Sequence, residues 1–233
     1  MARFDEIEVN GSPMRICVAS PGGDGPHPAV IVMCHIGGLD EFTTDRVDRL
    51  AAAGCVAAAP DVFHYHDWIE DKEARRASLR DKSIIDDIEA CIAHAENVEA
   101  VDGKRLAILG HCMGGRTALL GAGNIPRIGP LVIYYGGRTM ISWGGDGATP
   151  FERIRGVKGP VIGFFGLDDT EPCPEDVDKI EAEFKRHGIP CEFHRYRGAG
   201  HAFQNFLSPD RYREAAANDS WEKTLSFLSR AFG

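Results

Sequence analysis

Three kinds of residue that can act together in nucleophilic catalysis occur at separate places in this chain of 233 residues. The string Gly110-His111-Cys112-Met113-Gly114-Gly115 has the pattern G-x-nucleophile-x-G, with cysteine at the nucleophile position. Two aspartates, Asp168 and Asp169, come later in the chain, and His201 follows them. A cysteine sulfur can attack a carbonyl carbon, a histidine can take and return the proton, and a carboxylate can orient the imidazole. The fold must bring these groups together for that chemistry to occur.

The elements that would position them are strands alternating with helices. Short β-branched runs predict strands at 4–9, 14–19, 29–34, 55–59, 105–109, 131–135, 160–165 and 191–196, the first two joined by a hairpin turn. Three- and four-residue hydrophobic spacing predicts helices at 44–53, 82–95, 117–122, 175–187 and 213–232. This alternation predicts an α/β fold with a mostly parallel eight-stranded sheet and helices on both faces, formed by one domain spanning 1–233.

Each chemically competent residue directly follows a predicted strand. Ligands of parallel sheets bind beyond the carboxyl ends of the strands, so Cys112, the aspartates and His201 are expected at one edge. The turn around Cys112 is so tight that side chains at Gly110 and Gly114 would meet neighbouring backbone. The following helix points its N-terminus at the sulfur and favours a thiolate, and the Met113 N–H is placed to donate to an oxyanion. The order nucleophile, acid, histidine is that of the α/β-hydrolase fold, and either aspartate can be the acid.

The chain resembles the dienelactone hydrolase family, the carboxymethylenebutenolidase-like proteins of the α/β-hydrolase superfamily. The resemblance covers nearly the whole chain. It rests on AVIVMCHIGGL at 29–39, on Ala59-Pro60-Asp61, on 110–115, on Gly166-Leu167-Asp168-Asp169 with Pro172 and Pro174, and on Ala199-Gly200-His201-Ala202-Phe203. It implies a fold with little or no lid, a monomer or weak homodimer, no cofactor and no metal, and opening of a small lactone or ester through a thioester on cysteine.

Residue roles follow from the resemblance at the matching positions. The G-x-x-D pattern assigns the acid to Asp169, the A-G-H-x-F pattern assigns the base to His201, and Ile36 supplies the second oxyanion donor beside Met113. His35 stands where the best-known members carry a glutamate that contacts the resting cysteine, and its imidazole can accept from a thiol or lie beside a thiolate. The candidates for substrate binding are His35, Tyr135, Arg80 and Phe203. Arg75, Arg76 and Arg80 all lie near the position of one substrate-binding arginine of the family, and any of the three can match it. The family has a second such arginine a few residues after the histidine, where this chain offers the amides of Gln204 and Asn205.

Composition narrows the class of protein. The formal net charge is −9, from 26 Lys plus Arg and 35 Asp plus Glu, so a basic surface for nucleic acid is not expected. The longest apolar run is far shorter than the about 20 residues of a membrane helix. The acidic N-terminus lacks the apolar region of a signal peptide, and seven cysteines without a CxxC pair indicate a cytoplasmic protein. The small-molecule ester or lactone substrate is what the family resemblance implies.

Two other functions fit parts of the sequence. His35, His64, His66 and Asp67 follow two strands expected to be neighbours, so a metal-assisted hydrolase using His35, His64 and His66 is one alternative. A binding protein that kept the fold but has no activity is the other, since a fold does not imply a function.

Overall fold

A computed structural model describes residues 1–145 and 147–233. Its single sheet contains eight strands: β1 (Arg3–Val9), β2 (Ser12–Ala19), β3 (His27–Met33), β4 (Val56–Pro60), β5 (Val101–His111), β6 (Leu131–Tyr134), β7 (Val161–Gly166) and β8 (Cys191–Tyr196). Their spatial order is β1-β2-β4-β3-β5-β6-β7-β8. The β1–β2 and β2–β4 pairs are antiparallel, and all pairs from β4 to β8 are parallel. The carboxyl ends of six strands therefore share one edge.

Helices cover both faces of this sheet. They are α1 (Glu41–Ala52), α2 (Lys72–Ser78), α3 (Asp81–Val98), α4 (Met113–Asn124), α5 (Pro174–Arg186) and α6 (Glu214–Phe232). Val47 and Leu50 of α1 share one core with Trp221 and Leu228 of α6. The buried residues of α3, α4 and α5 form the core on the other face. The apolar sides of these five helices are buried against the sheet, and this packing fixes the strand ends from which the site loops leave.

The α/β prediction and the mostly parallel eight-stranded sheet are confirmed. All eight predicted strands are present, with ends that differ by a few residues. Helix α2 lies outside the helices predicted from periodicity because its seven residues include no buried side chain, which leaves no apolar stripe to detect. Within the described ranges, no helix is long and apolar enough to cross a membrane.

Candidate active site

The turn between β5 and α4 holds Cys112 in a strained conformation. Cys112 has φ 58° and ψ −121°, a backbone region that residues with a side chain rarely adopt. A Cβ on Gly110 would lie 1.9 Å from the Gly114 carbonyl oxygen, and one on Gly114 would lie 2.1 Å from the Met33 carbonyl oxygen. The predicted need for both glycines is therefore confirmed. The strained turn leaves the cysteine half-buried at the sheet edge instead of inside the core.

Loops from two other strands bring a histidine and a carboxylate to this sulfur. His201 Nε2 lies 2.9 Å from Cys112 Sγ. On the other side of the ring, His201 Nδ1 lies 2.9 Å from Asp169 Oδ2. The second oxygen, Asp169 Oδ1, accepts from the Glu171 N–H at 2.9 Å, which fixes the carboxylate. Asp169 is buried and Asp168 is exposed, so of the two aspartates it is Asp169 that contacts the imidazole.

The charge state of His201 follows from these two contacts. Burial opposes the imidazolium form, but the hydrogen bonds to Asp169 and Cys112 together outweigh it and raise the pKa of His201 to about 10. At neutral pH the ring therefore carries a proton that it can give to a leaving group.

Ile36 and Met113, the two residues expected to supply oxyanion donors, both lie beside the sulfur. Met113 is the first residue of α4, where a helix N–H has no intrahelical acceptor. Ile36 lies in the turn after β3, the strand that pairs with β5. Ile36 and Met113 line one cavity with Cys112 and His201, which places both residues beside the reacting groups. This arrangement suits a carbonyl oxygen that becomes negative during attack.

Two clefts meet at Cys112. The first, of about 210 Å³, is lined by Arg76, Arg138 and Arg211 together with Trp143. The second, of about 140 Å³, also contains Arg211. Arg76 pairs with Glu73 and Arg138 with Glu171, whereas among the described residues the Arg211 guanidinium forms no ion pair. Arg116, Glu73 and Glu171 also line this cleft, so its described lining contains four arginines and two glutamates, an excess of positive charge.

His35 and Tyr135 line the second cleft with Cys112. Both His35 nitrogens have partners of their own: Nε2 lies 2.8 Å from Asp40 Oδ2, and Nδ1 accepts from the Gly37 N–H at 3.3 Å. The proton is therefore on Nε2, and the predicted contact between this imidazole and the cysteine is not formed. Tyr135 is buried with its ring 5.3 Å from that of His201, and burial raises the pKa of its hydroxyl.

Arg80 and Phe203 do not reach either cleft, in contrast to the sequence prediction. The Arg80 guanidinium folds back onto the carbonyls of Ala77, Ser78 and Leu79, because the carbonyls at the end of α2 attract a cation. Arg76, four residues earlier and within α2, is the arginine of this run that lines the first cleft, and Arg75 stacks on Phe63 instead.

Phe203 is fully buried in the core, where it packs against Tyr135 and Tyr196. Phe203, the last residue of the A-G-H-x-F pattern, therefore has a packing role and does not line a substrate cleft.

Gln204, which the sequence offered as a substrate-binding amide, is buried and instead connects parts of the protein next to the site. Gln204 Oε1 accepts from His111 Nε2 at 2.9 Å, and Gln204 Nε2 donates to Ser220 Oγ at 3.0 Å. His111 directly precedes Cys112, and Gln204 follows His201 by three residues. Burial lowers the pKa of His111 well below its usual value, so this ring is neutral and can keep the contact. Of the two amides named from the sequence, Gln204 is thus buried away from both clefts, whereas Asn205 lines the second cleft.

The predicted metal set has no common centre in the structure. His64 is buried between Ser12 Oγ at 3.0 Å and Asp87 Oδ1 at 3.1 Å, while His35 is held by Asp40. Within residues 1–145 and 147–233, no three His, Cys, Asp or Glu side chains converge in a way that could hold a metal ion.

Comparison with known proteins places these features in a family. Residues 14–232 match the dienelactone hydrolase family. A Bradyrhizobium protein assigned as a 2-oxo-3-(5-oxofuran-2-ylidene)propanoate lactonase is 33% identical, over 96% of this chain and 92% of its own length. The carboxymethylenebutenolidase of Rhodococcus opacus is 31% identical, over 88% of this chain and 82% of its own. A crystal structure from Klebsiella pneumoniae assigned as a dienelactone hydrolase superimposes with a TM-score of 0.87 at 27% identity, over 98% of both chains.

Proposed function

This chain belongs to the dienelactone hydrolase family, and from that premise we propose that it opens a small lactone or ester with Cys112 as the nucleophile. The observation that carries the proposal is the continuous contact from Cys112 Sγ through the His201 ring to Asp169, with 2.9 Å at each step. These distances lie within the range for proton transfer between a nucleophile and its base.

The reaction balances with the groups at the site and one water. The Cys112 thiolate adds to the carbonyl carbon, and the oxyanion accepts hydrogen bonds from the Ile36 and Met113 amides. The carbon–oxygen bond of the ring then breaks, and His201 Nε2 gives its proton to the departing oxygen. A thioester remains on Cys112. Water, deprotonated by His201, adds to the thioester, and the sulfur leaves with the carboxylic acid released.

We further propose that the substrate carries a carboxylate that Arg211 binds. Arg211 lines both clefts at Cys112 and, in the part of the chain that the structure describes, has no carboxylate partner to displace. The names of the Bradyrhizobium and Rhodococcus relatives both denote lactones that bear a carboxylate group. Arg211 is exposed, and a guanidinium at the border of the clefts suits such a group because it can donate two parallel hydrogen bonds.

The nucleophile is tested by comparing Cys112→Ala with Cys173→Ala, which removes another half-buried cysteine away from these clefts. We expect Cys112→Ala to lower kcat on p-nitrophenyl acetate and on carboxymethylenebutenolide by on the order of 10⁴-fold. Cys173→Ala should keep both rates. Equal rates in wild type and Cys112→Ala would refute the cysteine mechanism.

The carboxylate site is tested by Arg211→Met beside Arg197→Met, a change at an exposed arginine that lines neither cleft. Loss of a charge-assisted contact should raise KM for carboxymethylenebutenolide by roughly ten- to a hundredfold. The uncharged p-nitrophenyl acetate should respond much less. A KM that both variants leave unchanged would contradict the assignment to Arg211.

A cytoplasmic location and a monomeric or weakly dimeric state belong to the same proposal. All seven cysteines are free thiols, as is usual in a reducing compartment. Cell fractionation and sedimentation analysis test these two points, and a stable higher oligomer would contradict the second.

A further inference from the structure

The loop after β6 forms one wall of the first cleft. Gly137, Arg138 and Trp143 of this loop line the same cavity as Cys112 and Met113. The stretch 136–143 contains no helix or strand, so hydrogen bonds within regular structure do not fix its position. Arg138 also has a left-handed backbone, with φ 54°, which a non-glycine residue keeps only when its surroundings enforce it. Something outside the loop must therefore hold this wall in place.

Arg116 makes that connection from the helix that carries the nucleophile. Its fully buried side chain donates from Nε to the Arg138 carbonyl at 3.1 Å and from Nη2 to the Ile141 carbonyl at 2.5 Å. Its guanidinium carbon lies 3.7 Å from the centre of the Trp143 ring. The Arg116 N–H bonds to the Cys112 carbonyl, so this side chain leaves α4 one turn from the nucleophile. The first turn of α4 therefore holds both the nucleophile and, through Arg116, the 137–143 loop.

Asp81 completes the arrangement at the start of α3. Its two carboxylate oxygens accept from Arg116 Nη1 at 2.7 Å and Nη2 at 3.0 Å, in a bidentate pair. Asp81 Oδ2 also accepts from the Trp143 N–H at 3.0 Å, and the Asp81 N–H donates to the Trp143 carbonyl at 2.9 Å. The guanidinium thereby uses four of its five N–H groups. A lysine ammonium cannot reproduce this planar fork.

We propose that Arg116 and Asp81, here termed the Arg116–Asp81 clamp, position the 137–143 wall and so determine how well the enzyme binds substrates that extend into the first cleft. The inference rests on the proposed function, because it concerns the substrate of that same site. Arg116 borders the first cleft, but its side chain is fully buried and four of its N–H groups are already bonded within the protein. We therefore treat Arg116 and Asp81 as positioning residues, which act through Arg138 and Trp143 and leave the attack by Cys112 to the groups already described. A small ester that occupies only the oxyanion site does not need this wall.

The experiment compares Arg116→Lys, Arg116→Met and Asp81→Asn with the control Arg127→Met. Arg127 forms a bidentate pair with Glu96 on the surface, so its loss tests removal of an arginine–carboxylate pair away from the site. For Arg116→Lys we expect KM for carboxymethylenebutenolide to rise at least about tenfold, while kcat/KM for p-nitrophenyl acetate falls less than about threefold. Arg127→Met should alter neither value. Equal losses on both substrates, or no change on either, would overturn the proposal.

Hydrogen exchange supplies a readout that does not depend on activity. In Arg116→Lys and Asp81→Asn, exchange should accelerate in 137–143 and in the first turn of α3, and stay as in wild type in α5. Acceleration spread through α5 would indicate general destabilisation and overturn the positioning role. Removing one partner of a buried pair can prevent folding, and if Arg116→Met does not fold, Arg116→Lys and Asp81→Asn decide the matter. Turnover that survives in Cys112→Ala would refute the proposed function and leave this exchange test of the clamp intact.

Discussion

Replacement of Asp169 by asparagine should lower the pKa of His201 by a predictable amount. In the native site, burial opposes the imidazolium, and hydrogen bonds to Asp169 and Cys112 raise the pKa from 6.5 to about 10. An opposite charge in contact changes a pKa by about one to three units. Because Asp169 supplies both a hydrogen bond and a negative charge at 2.9 Å, we expect a fall at the upper end of that range, to between about 7 and 8. The fall corresponds to roughly 3 to 4 kcal/mol of lost preference for the charged ring.

The matched control is Asp168→Asn, since Asp168 is the adjacent carboxylate and does not contact the imidazole. NMR titration of ¹⁵N-labelled histidine gives the pKa directly, and the pH dependence of kcat/KM gives the catalytic consequence. Wild type and Asp168→Asn should keep a protonated His201 to about pH 10, whereas Asp169→Asn should lose activity above neutral pH as the general acid deprotonates.

Either of two results would refute this reasoning. A wild-type His201 that titrates near 6.5 would mean that burial cancels the effect of the two contacts on its pKa. Equal pKa values in Asp169→Asn and Asp168→Asn would mean that the Asp169 contact does not set the charge of the ring.

Three further predictions concern the surroundings of the site. Gly114→Ala should abolish activity and lower the thermal midpoint, because its Cβ would lie 2.1 Å from the Met33 oxygen, whereas Gly22→Ala, with open space around it, should change neither. Gln204→Leu should lower the free energy of unfolding in urea by roughly 1 to 3 kcal/mol, because His111 then lacks its acceptor; an unchanged midpoint would contradict the buried contact. The free energy of unfolding should decrease as pH rises from 6.5 to about 10, since folded His201 holds a proton that the unfolded chain releases; this slope should shrink in Asp169→Asn.

Local sequence patterns predict the sheet and the turns, because these depend on contacts between near neighbours. The apolar runs that became β3, β5, β6 and β7 are buried on both faces, which is why continuous hydrophobicity identified them. The sequence also predicted that the residues of the proposed reaction follow the ends of strands, and the structure places them there. Cys112 follows β5 and His201 follows β8, and parallel strands place both loops at one edge.

The substrate-binding part of the site depends on the direction in which long arginine side chains point. Local sequence patterns do not determine that direction. Arg76 and Arg80 lie four residues apart, and Arg80 folds back onto carbonyls because α2 ends at Ser78, before it. Arg116 carried no signal, since an arginine within an apolar helical run has no visible partner until the fold places Asp81 beside it. Such contacts join residues far apart in the chain, and hydrophobic periodicity does not report them.

The central claim is that the sulfur of Cys112 becomes acylated during turnover. Rapid acid quenching during hydrolysis of p-nitrophenyl acetate, followed by peptide mass spectrometry, measures this directly. The account predicts an acetyl group on the peptide that contains Cys112, removable by hydroxylamine and absent in Cys112→Ala. Acetylation of a different residue, or full turnover with no acyl group on Cys112, would contradict it.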